Sequence, residues 1–284
     1  KQRGRNTHEF FTPELTARAL ERLQLEQALR GALARDEFVL HYQPQVEAAS
    51  GRVLAVEALL RWNHPRLGLL GPDRFIGAAE DSGLIEAIGE WVLYAACRQL
   101  MTWRHDGCGA PRMAVNISGR HLLRADFVDR LEAILGETGL ATLEPGALEI
   151  EITESTLVRV EDSRITLDRI KALGVRIAVD DFGTGYSSLA HLRFLPVDTL
   201  KIDRAFIKDL PGNAQSAAIV EAVVALGRGL HMEIVGEGVE DAAQRDFLAA
   251  LGCDAIQGYF YSRPLPAAEL ARLLAQGLPM PVAA

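Results

Sequence analysis

Strand-like and helix-like patterns alternate along most of this chain, and a polar residue stands at the end of nearly every strand. The first two strands, Phe38 to Val46 and Arg52 to Leu60, are separated by a short loop containing Ser50-Gly51, which predicts an antiparallel pair. Further strands are expected at Arg112 to Ile117, Ala147 to Thr153, Val175 to Asp181, Thr199 to Asp203, Met232 to Gly236 and Asp254 to Gln257. Helical periodicity fills the intervals: Asp73 to Ala79, Leu84 to Trp103, Leu123 to Glu137, Ser163 to Leu173, Ser188 to Phe194, Ala214 to Leu226 and Asp241 to Leu251. Alternation of this length suits a (β/α)8 barrel or a doubly wound open sheet. An open sheet concentrates its chemistry at one switch point, whereas a barrel gathers it at the ends of many strands. Glu57, Asn116, Glu151, Asp180, Asp181, Lys201, Asp203, Glu237 and Gln257 are spread over seven strand ends, so the expectation is a modified TIM barrel with an antiparallel first strand.

The 284 residues are 49% hydrophobic, enough for a substantial core, and the net charge is -8. With no long basic run, the chain is not built to wrap a nucleic-acid polymer or dock on an anionic membrane. The apolar stretches carry charges too often to cross a bilayer; Leu84 to Met101 contains Glu86, Glu90 and Arg98. Cys97, Cys108 and Cys253 form neither a paired framework nor a C-x-x-C site, which fits a reducing cytoplasm. Thr12-Pro13 opens a helix with Leu15, Ala19, Leu29 and Leu33 on one face. Residues 1–35 therefore read as a linker and helix arriving from an upstream module, with the main domain at 36–284.

Val175 to Leu189 carries the sharpest chemical signal. A β-branched run ends in Asp180 and Asp181 and then breaks into the Gly183/Gly185 loop. Adjacent carboxylates at the end of a buried strand repel each other and lose hydration, unless a cation compensates them. The plain alternative is an Asp turn with Asp181 capping the next helix. Glu57, Asn116 and Glu151 each have a structural reading too, Asn116 as a cap for the helix after Ser118. Together, however, these oxygen donors on one rim would be self-repulsive without divalent cations, and such donors suit Mg²⁺ or Mn²⁺. Two cations roughly 3.5–4 Å apart with a bridging carboxylate are the known device for in-line attack on a phosphodiester; Asp180 is the natural bridge.

The chain resembles the EAL domain, the cyclic di-GMP phosphodiesterase family. The resemblance rests on Glu57-Ala58-Leu59-Leu60-Arg61-Trp62, with Tyr42-Gln43-Pro44, Asn116-Ile117-Ser118, Glu151-Ile152-Thr153-Glu154, the DDFGTGYSSL run, Leu200-Lys201-Ile202-Asp203, Glu237-Gly238-Val239-Glu240 and Gln257-Gly258-Tyr259, in the family's order from Glu37 to Pro266. It implies that Glu57, Asn116, Glu151 and Asp180 hold one Mg²⁺ or Mn²⁺ and that Asp180, Asp181 and Glu237 hold or orient a second. Lys201 would position the attacking water, and Glu237 would be the general base. Glu154 would anchor the loop after Asp181, linking the site to a homodimer partner. Gln43, Leu60, Arg61 and Tyr259 would contact the dinucleotide, and Glu240 and Gln257 would support the pocket floor. The implied reaction is hydrolysis of cyclic di-GMP to linear 5′-pGpG, lowering a messenger that controls biofilm and motility, with Ca²⁺ inhibitory. The first 35 residues resemble the segment between a GGDEF and an EAL domain, so upstream parts could tether the whole protein to the inner membrane.

Gly236 stands where the family commonly has alanine, and Gln45 where it has an aliphatic residue. Neither departure removes an implied ligand. Two other functions compete: a non-hydrolysing cyclic di-GMP receptor, which typically lacks several of these residues, and an unrelated metal-dependent barrel phosphodiesterase. The His105-Asp106 dipeptide reads as a loop. His64 and His121 read as surface or supporting residues rather than metal ligands.

Overall fold

The structure is a computed structural model that describes residues 22–109, 112–159, 164–183 and 192–276. The first 21 residues of the expected linker helix, and most of the helix expected at Ser188 to Phe194, lie outside the described residues; a helix over 22–29 is present. The chain divides into a small unit, Lys1–Val39 with Arg61–Ile85, and a large one, Leu40–Leu60 with Glu86–Ala284.

The strands are β1 (Phe38–Glu47), β2 (Val53–His64), β3 (Gly68–Leu70), β4 (Met113–Asn116), β5 (Leu148–Thr153), β6 (Arg176–Phe182), β7 (Thr199–Ile202), β8 (Glu233–Gly236), β9 (Ala255–Ile256) and β10 (Leu265–Pro266). Neighbours run in the order β1-β9-β8-β7-β6-β5-β4-β2, and β1 also pairs with β2, which closes the barrel. Within the barrel, β2 and β4 through β9 pair parallel, while β3 adds antiparallel to the end of β2. β1 is antiparallel to β9. The expected modified TIM barrel is therefore the observed one. β10, which periodicity did not reveal in two residues, adds antiparallel to β1 at His41 and Tyr42.

Helices wrap the outside, so the outward residues of the central strands are buried on both faces of the sheet. Ile150, Ile177, Val179, Leu200, Ile202 and Ile234 are fully inaccessible, each contributing roughly 1.5–3 kcal/mol. The intervening residues face the lumen, and there the strands are polar. At the N-terminal ends, Arg112 pairs with Glu233 through two bonds of 2.7 and 3.0 Å. Arg176 donates to Glu149 at 2.9 Å, Glu233 at 2.7 Å and Thr199 at 3.0 Å, while Thr199 donates to Glu149 at 2.8 Å. This charge-balanced floor closes one end of the barrel. One step up, Ala114, Ala178, Val235 and Ala255 form a layer of small buried residues, and the next inward positions carry the candidate site.

Local chemistry accounts for the boundaries. Gly174, at φ 77°, ends the helix Arg164–Ala172. Asp241 and Gln244 form a reciprocal capping box on Ala242–Leu251. Asn116 is not the cap of the helix after it: Ser118 takes that place, accepting the His121 N–H at 3.2 Å. Asn116 is thereby left to the site. Gly236, where the family usually has alanine, lies so close to Leu248 that an added Cβ would sit 2.8 Å from its Cδ1.

In the small unit, Phe38, Trp62 and Phe75 pack with ring centroids 5.5–5.9 Å apart. The Trp62 indole donates to Glu37 at 3.0 Å. His64 is not a surface residue: it is buried, and its Nδ1 accepts the Arg66 and Leu67 N–H groups that turn the chain into β3. In the large unit His121 is buried too, edge-on to Phe127 with centroids 4.9 Å apart. His105, 89% exposed, ends the helix Ile85–His105, as a residue before a loop would.

Candidate metal centre

The C-terminal halves of β4 to β7 and the part of β2 that pairs with β4 bring Glu57 from β2, Asn116 from β4, Glu151 from β5, Asp180 and Asp181 from β6, Lys201 from β7 and Glu237, just after β8, into one cluster. Register explains the convergence: Asn116 lies opposite Glu151 on β5, and Thr153 lies opposite Asp180 on β6. Neighbours in a regular strand point to opposite faces, so Asp180 and Asp181 could not both face the lumen of an ordinary β6. A register shift between Val179 and Phe182, together with a left-handed Asp181 at φ 55°, breaks the alternation. Carboxylate oxygens of Asp180, Asp181 and Glu237 then lie within 4.8 Å of one another.

Lys201 sits in the middle. Its side chain is 1% exposed, and Nζ lies 2.7 Å from both Glu151 Oε2 and Glu237 Oε1, 3.4 Å from Asp180 Oδ1 and 3.7 Å from Glu57 Oε2. Burial opposes its charge, but the surrounding Asp180, Glu151, Glu237 and Glu57 carboxylates hold the ammonium protonated well above the ordinary lysine range. Amides fix the carboxylates from the other side. Asn116 donates to Glu57 at 2.6 Å and Gln257 to Glu57 at 2.5 Å. Gln257 also donates to Gln43 at 3.0 Å, and Gln43 donates to the Ser262 carbonyl at 2.9 Å. Gln45 reaches Glu151 at 3.3 Å.

One ammonium faces five carboxylates, and their proton affinities record the imbalance. Burial pushes Glu237 up to about 8, against the attraction of Lys201 and with the repulsion of Asp180. Burial and the neighbouring Glu57 raise Glu151 well above the carboxylate range. Burial and Asp180 raise Asp181 to about 6. Glu57, although burial opposes it, is held below its usual value by Lys201 and the bonds from Gln257 and Asn116. The donor set is carboxylate and amide oxygen with no thiolate or imidazole, and its surplus negative charge is partly buried. It fits hard divalent cations of the Mg²⁺ or Mn²⁺ type.

The remaining residues divide. Glu154 accepts the Gly183 N–H at 2.9 Å, so it holds the first residues after Asp181; Gly183, at φ 98°, has a backbone conformation that side-chain-bearing residues rarely adopt, and an added Cβ would sit 3.0 Å from the Phe206 ring. Tyr259 is 46% exposed, with the Arg263 guanidinium 4.2 Å from its ring centroid. Leu60 is half-buried on β2, and Arg61 is the next residue of that strand, in the small unit. Gln257 is buried and donates to Glu57. Gly238 turns the chain at φ 70°, Val239 takes the buried position, and Glu240 is exposed at the entry to the next helix. Sequence reasoning did not assign Gln45 to the site, although its departure from the family pattern marked it. The floor of Arg112, Glu149, Arg176, Thr199 and Glu233 also went unread, although Glu149 and Glu151 at a spacing of two signal a polar lumen face.

Comparisons with known proteins agree with this architecture. The family model described as the EAL domain matches residues 26–264. The chain is 49% identical over 272 residues to the bifunctional diguanylate cyclase/cyclic di-GMP phosphodiesterase MucR of Pseudomonas aeruginosa, covering 95% of this chain and 39% of that protein. It is 47% identical to the cyclic di-GMP phosphodiesterase NbdA of the same organism, covering 95% of this chain and 34% of that protein. The chain thus spans little more than a third of the length of these relatives. Among solved structures, the PaMucR phosphodiesterase in complex with c-di-GMP superposes with a TM-score of 0.83 at 49% identity, covering 87% of this chain and 99% of that one. The EAL domain of Mycobacterium smegmatis DcpA does so at 0.73 and 38% identity, covering 85% and 99%. With the matched segment running through the whole barrel and the acidic rim intact, the chain belongs to the EAL domain family.

Proposed function

We propose that this domain hydrolyses cyclic di-GMP to linear 5′-pGpG with the help of two divalent cations. The observation that carries the reading is the gathering of four carboxylates around one buried ammonium, with Asp181 and the Asn116 amide beside them, a set whose surplus negative charge divalent cations would balance. The named activities of MucR and NbdA support the same substrate.

In this reading Glu57, Asn116, Glu151 and Asp180 hold one Mg²⁺ or Mn²⁺, and Asp180, Asp181 and Glu237 hold the other. When bound, such a pair acidifies a water and neutralises charge developing on the phosphoryl oxygens, and it lets an acidic protein accept an anionic substrate. Glu237, grouped with Asp180 and Asp181 and 2.7 Å from Lys201 Nζ, would take the proton of the attacking water. Lys201 stays charged and turns its N–H donors toward the same region, orienting that water. Water adds to one phosphorus, the bond to the 3′ oxygen breaks, and the proton ends on that oxygen. Gln43, Leu60, Arg61 and Tyr259 would contact the dinucleotide, Arg61 by its fit to a phosphate or guanine edge. Gln257 would support Glu57, and Glu240, exposed at the entry to the next helix, would support the pocket with it. Glu154, through Gly183, would tie the site to a loop that a homodimer partner touches.

Incubation with cyclic di-GMP and either Mg²⁺ or Mn²⁺ should yield 5′-pGpG by chromatography, and Ca²⁺, larger and a poorer activator of water, should inhibit. Tight binding without product under both metals would favour a receptor. Turnover of glycerophosphodiesters but not of cyclic di-GMP would favour an unrelated phosphodiesterase. Ca²⁺-supported turnover equal to that with Mg²⁺ would count against the mechanism. Domain organisation follows the same reading: 36–284 as the phosphodiesterase domain, 1–35 as the link to an upstream module, and a cytoplasmic setting. No helix among the described residues is long and apolar enough to cross a membrane.

A further inference from the structure

Gln45, like Gln257, is a buried amide of the site whose carbonyl oxygen has no hydrogen-bond partner among the described residues. It is 1% exposed, and Nε2 donates to Glu151 Oε1 at 3.3 Å, while Oε1 is buried with no hydrogen-bond partner among the described residues. A buried, unpaired amide oxygen is costly. A fold retains it where the other end of the amide does what a hydrocarbon could not.

The other end holds a carboxylate. Glu151 is 0% exposed, and its two oxygens have different partners, Lys201 Nζ at 2.7 Å on Oε2 and Gln45 Nε2 on Oε1. A carboxylate gripped at both oxygens cannot rotate freely about its last torsion, so its plane is set before a ligand arrives. The same arrangement recurs beside it. Gln43, two residues earlier on the same face of β1, accepts from Gln257, which donates to Glu57 Oε2 while Asn116 donates to Glu57 Oε1. The antiparallel strand thus sends two amides into the lumen, toward the two most deeply buried acids of the rim. Lys201 is shared among four carboxylates, whereas the Gln45 amide is directed at Glu151.

We propose that Gln45 is a positioning residue for divalent-cation binding: its amide orients the Glu151 carboxylate, and its unpaired carbonyl oxygen remains as an acceptor for a water O–H. The inference rests on the reading of Glu151 as a cation ligand, and goes beyond it by assigning the orienting group. Pre-set ligands raise affinity because less freedom is lost on binding.

The test is calorimetric titration of metal-free protein with Mn²⁺, comparing the wild type with Gln45→Met, which keeps length and volume and removes the donor. Loss of a hydrogen bond to a charged group, at the weak end for a 3.3 Å contact, should lower affinity about tenfold. In a Glu151→Gln background the same substitution should have no further effect. A merely structural role would leave affinity alone in a folded variant or give additive losses; either result overturns the proposal. Should Gln45→Met not fold, the Gln45 side-chain amide resonance of the wild type should shift when Mg²⁺ is added, and an unmoved resonance overturns it. A wild type that binds no Mn²⁺ would remove the cation reading and this inference together. Equal binding by wild type and Gln45→Met would remove the inference alone.

Discussion

Replacing Lys201 with methionine isolates the electrostatic logic of the site. The variant keeps a buried, unbranched side chain and removes the one positive charge that the described residues place within 3.7 Å of Glu57, Glu151, Asp180 and Glu237. Removing one partner of a buried ion pair costs about 3–5 kcal/mol. The metal-free protein can limit the loss by taking up one further proton on a carboxyl group whose ordinary value is 4.5. That uptake costs about 1.4 kcal/mol for every pH unit above 4.5, hence about 2 kcal/mol at pH 6 and about 5 kcal/mol at pH 8. The expected destabilisation is therefore about 3 kcal/mol or more at pH 8 but no more than about 2 kcal/mol at pH 6. At about 2–4 °C per kcal/mol for a chain near this size, the midpoint should fall by roughly 6–12 °C at pH 8. Mn²⁺ should restore most of it, because cations supply the missing charge. Thermal scans of both proteins at the two pH values, with and without Mn²⁺, check this. A metal-free midpoint within about 2 °C of wild type at pH 8, or a loss as large at pH 6, would refute the reasoning. In the same variant turnover should drop by about 100-fold or more while substrate binding changes little.

Glu57→Ala should abolish hydrolysis and leave the barrel folded, since the Glu57 carboxylate meets polar groups, Asn116, Gln257 and Lys201, rather than the hydrophobic core; near-normal turnover would sink its assignment as a ligand. The metal-free wild type should lose stability as pH rises. Glu237, pushed up to about 8, and Asp181, to about 6, bind protons in the folded state that the unfolded chain has already released, so their contribution is present at low pH and gone above about pH 8. Mn²⁺ should accordingly bind with proton release, and calorimetry in buffers of different ionisation enthalpy measures the number; a midpoint that climbs from pH 6 to 8 without metal would contradict this. Gly119→Ala would place a Cβ 2.7 Å from Thr156 Oγ1 and 3.2 Å from its Cγ2, costing about 1–3 kcal/mol by overpacking. Thr156→Ala in the same chain should recover most of that loss, and a double-mutant cycle by urea unfolding reads the coupling.

Much of this protein is legible in its amino-acid order. Alternating strand and helix patterns with polar strand ends point to a barrel, because lumen-facing chemistry at many strand ends suits no open sheet. The ordered motifs from Tyr42-Gln43-Pro44 to Gln257-Gly258-Tyr259 indicate which side chains share the rim. Short elements such as β3, β10 and the six-residue helix Glu154–Arg159 are beyond reach, since two to six residues hold too little periodicity to separate them from turns. A motif records neighbours along the chain, while a positive φ at Gly238 decides that Val239 is buried and Glu240 exposed.

The sequence by itself determined the chemistry available: oxygen donors, one lysine, an acidic balance and a strand-helix rhythm. Tertiary structure alone decided how they meet. Strand periodicity says which face a residue takes but not its partner across a closed sheet, and the decisive pairs are far apart in the chain: Lys201 with Glu151, Gln257 with Glu57, Gln45 with Glu151. Nor does periodicity permit two adjacent aspartates on one face. The bulge at β6 and the left-handed Asp181 supply that exception, because closing the barrel against β7 leaves β6 no regular register in which both carboxylates reach the rim.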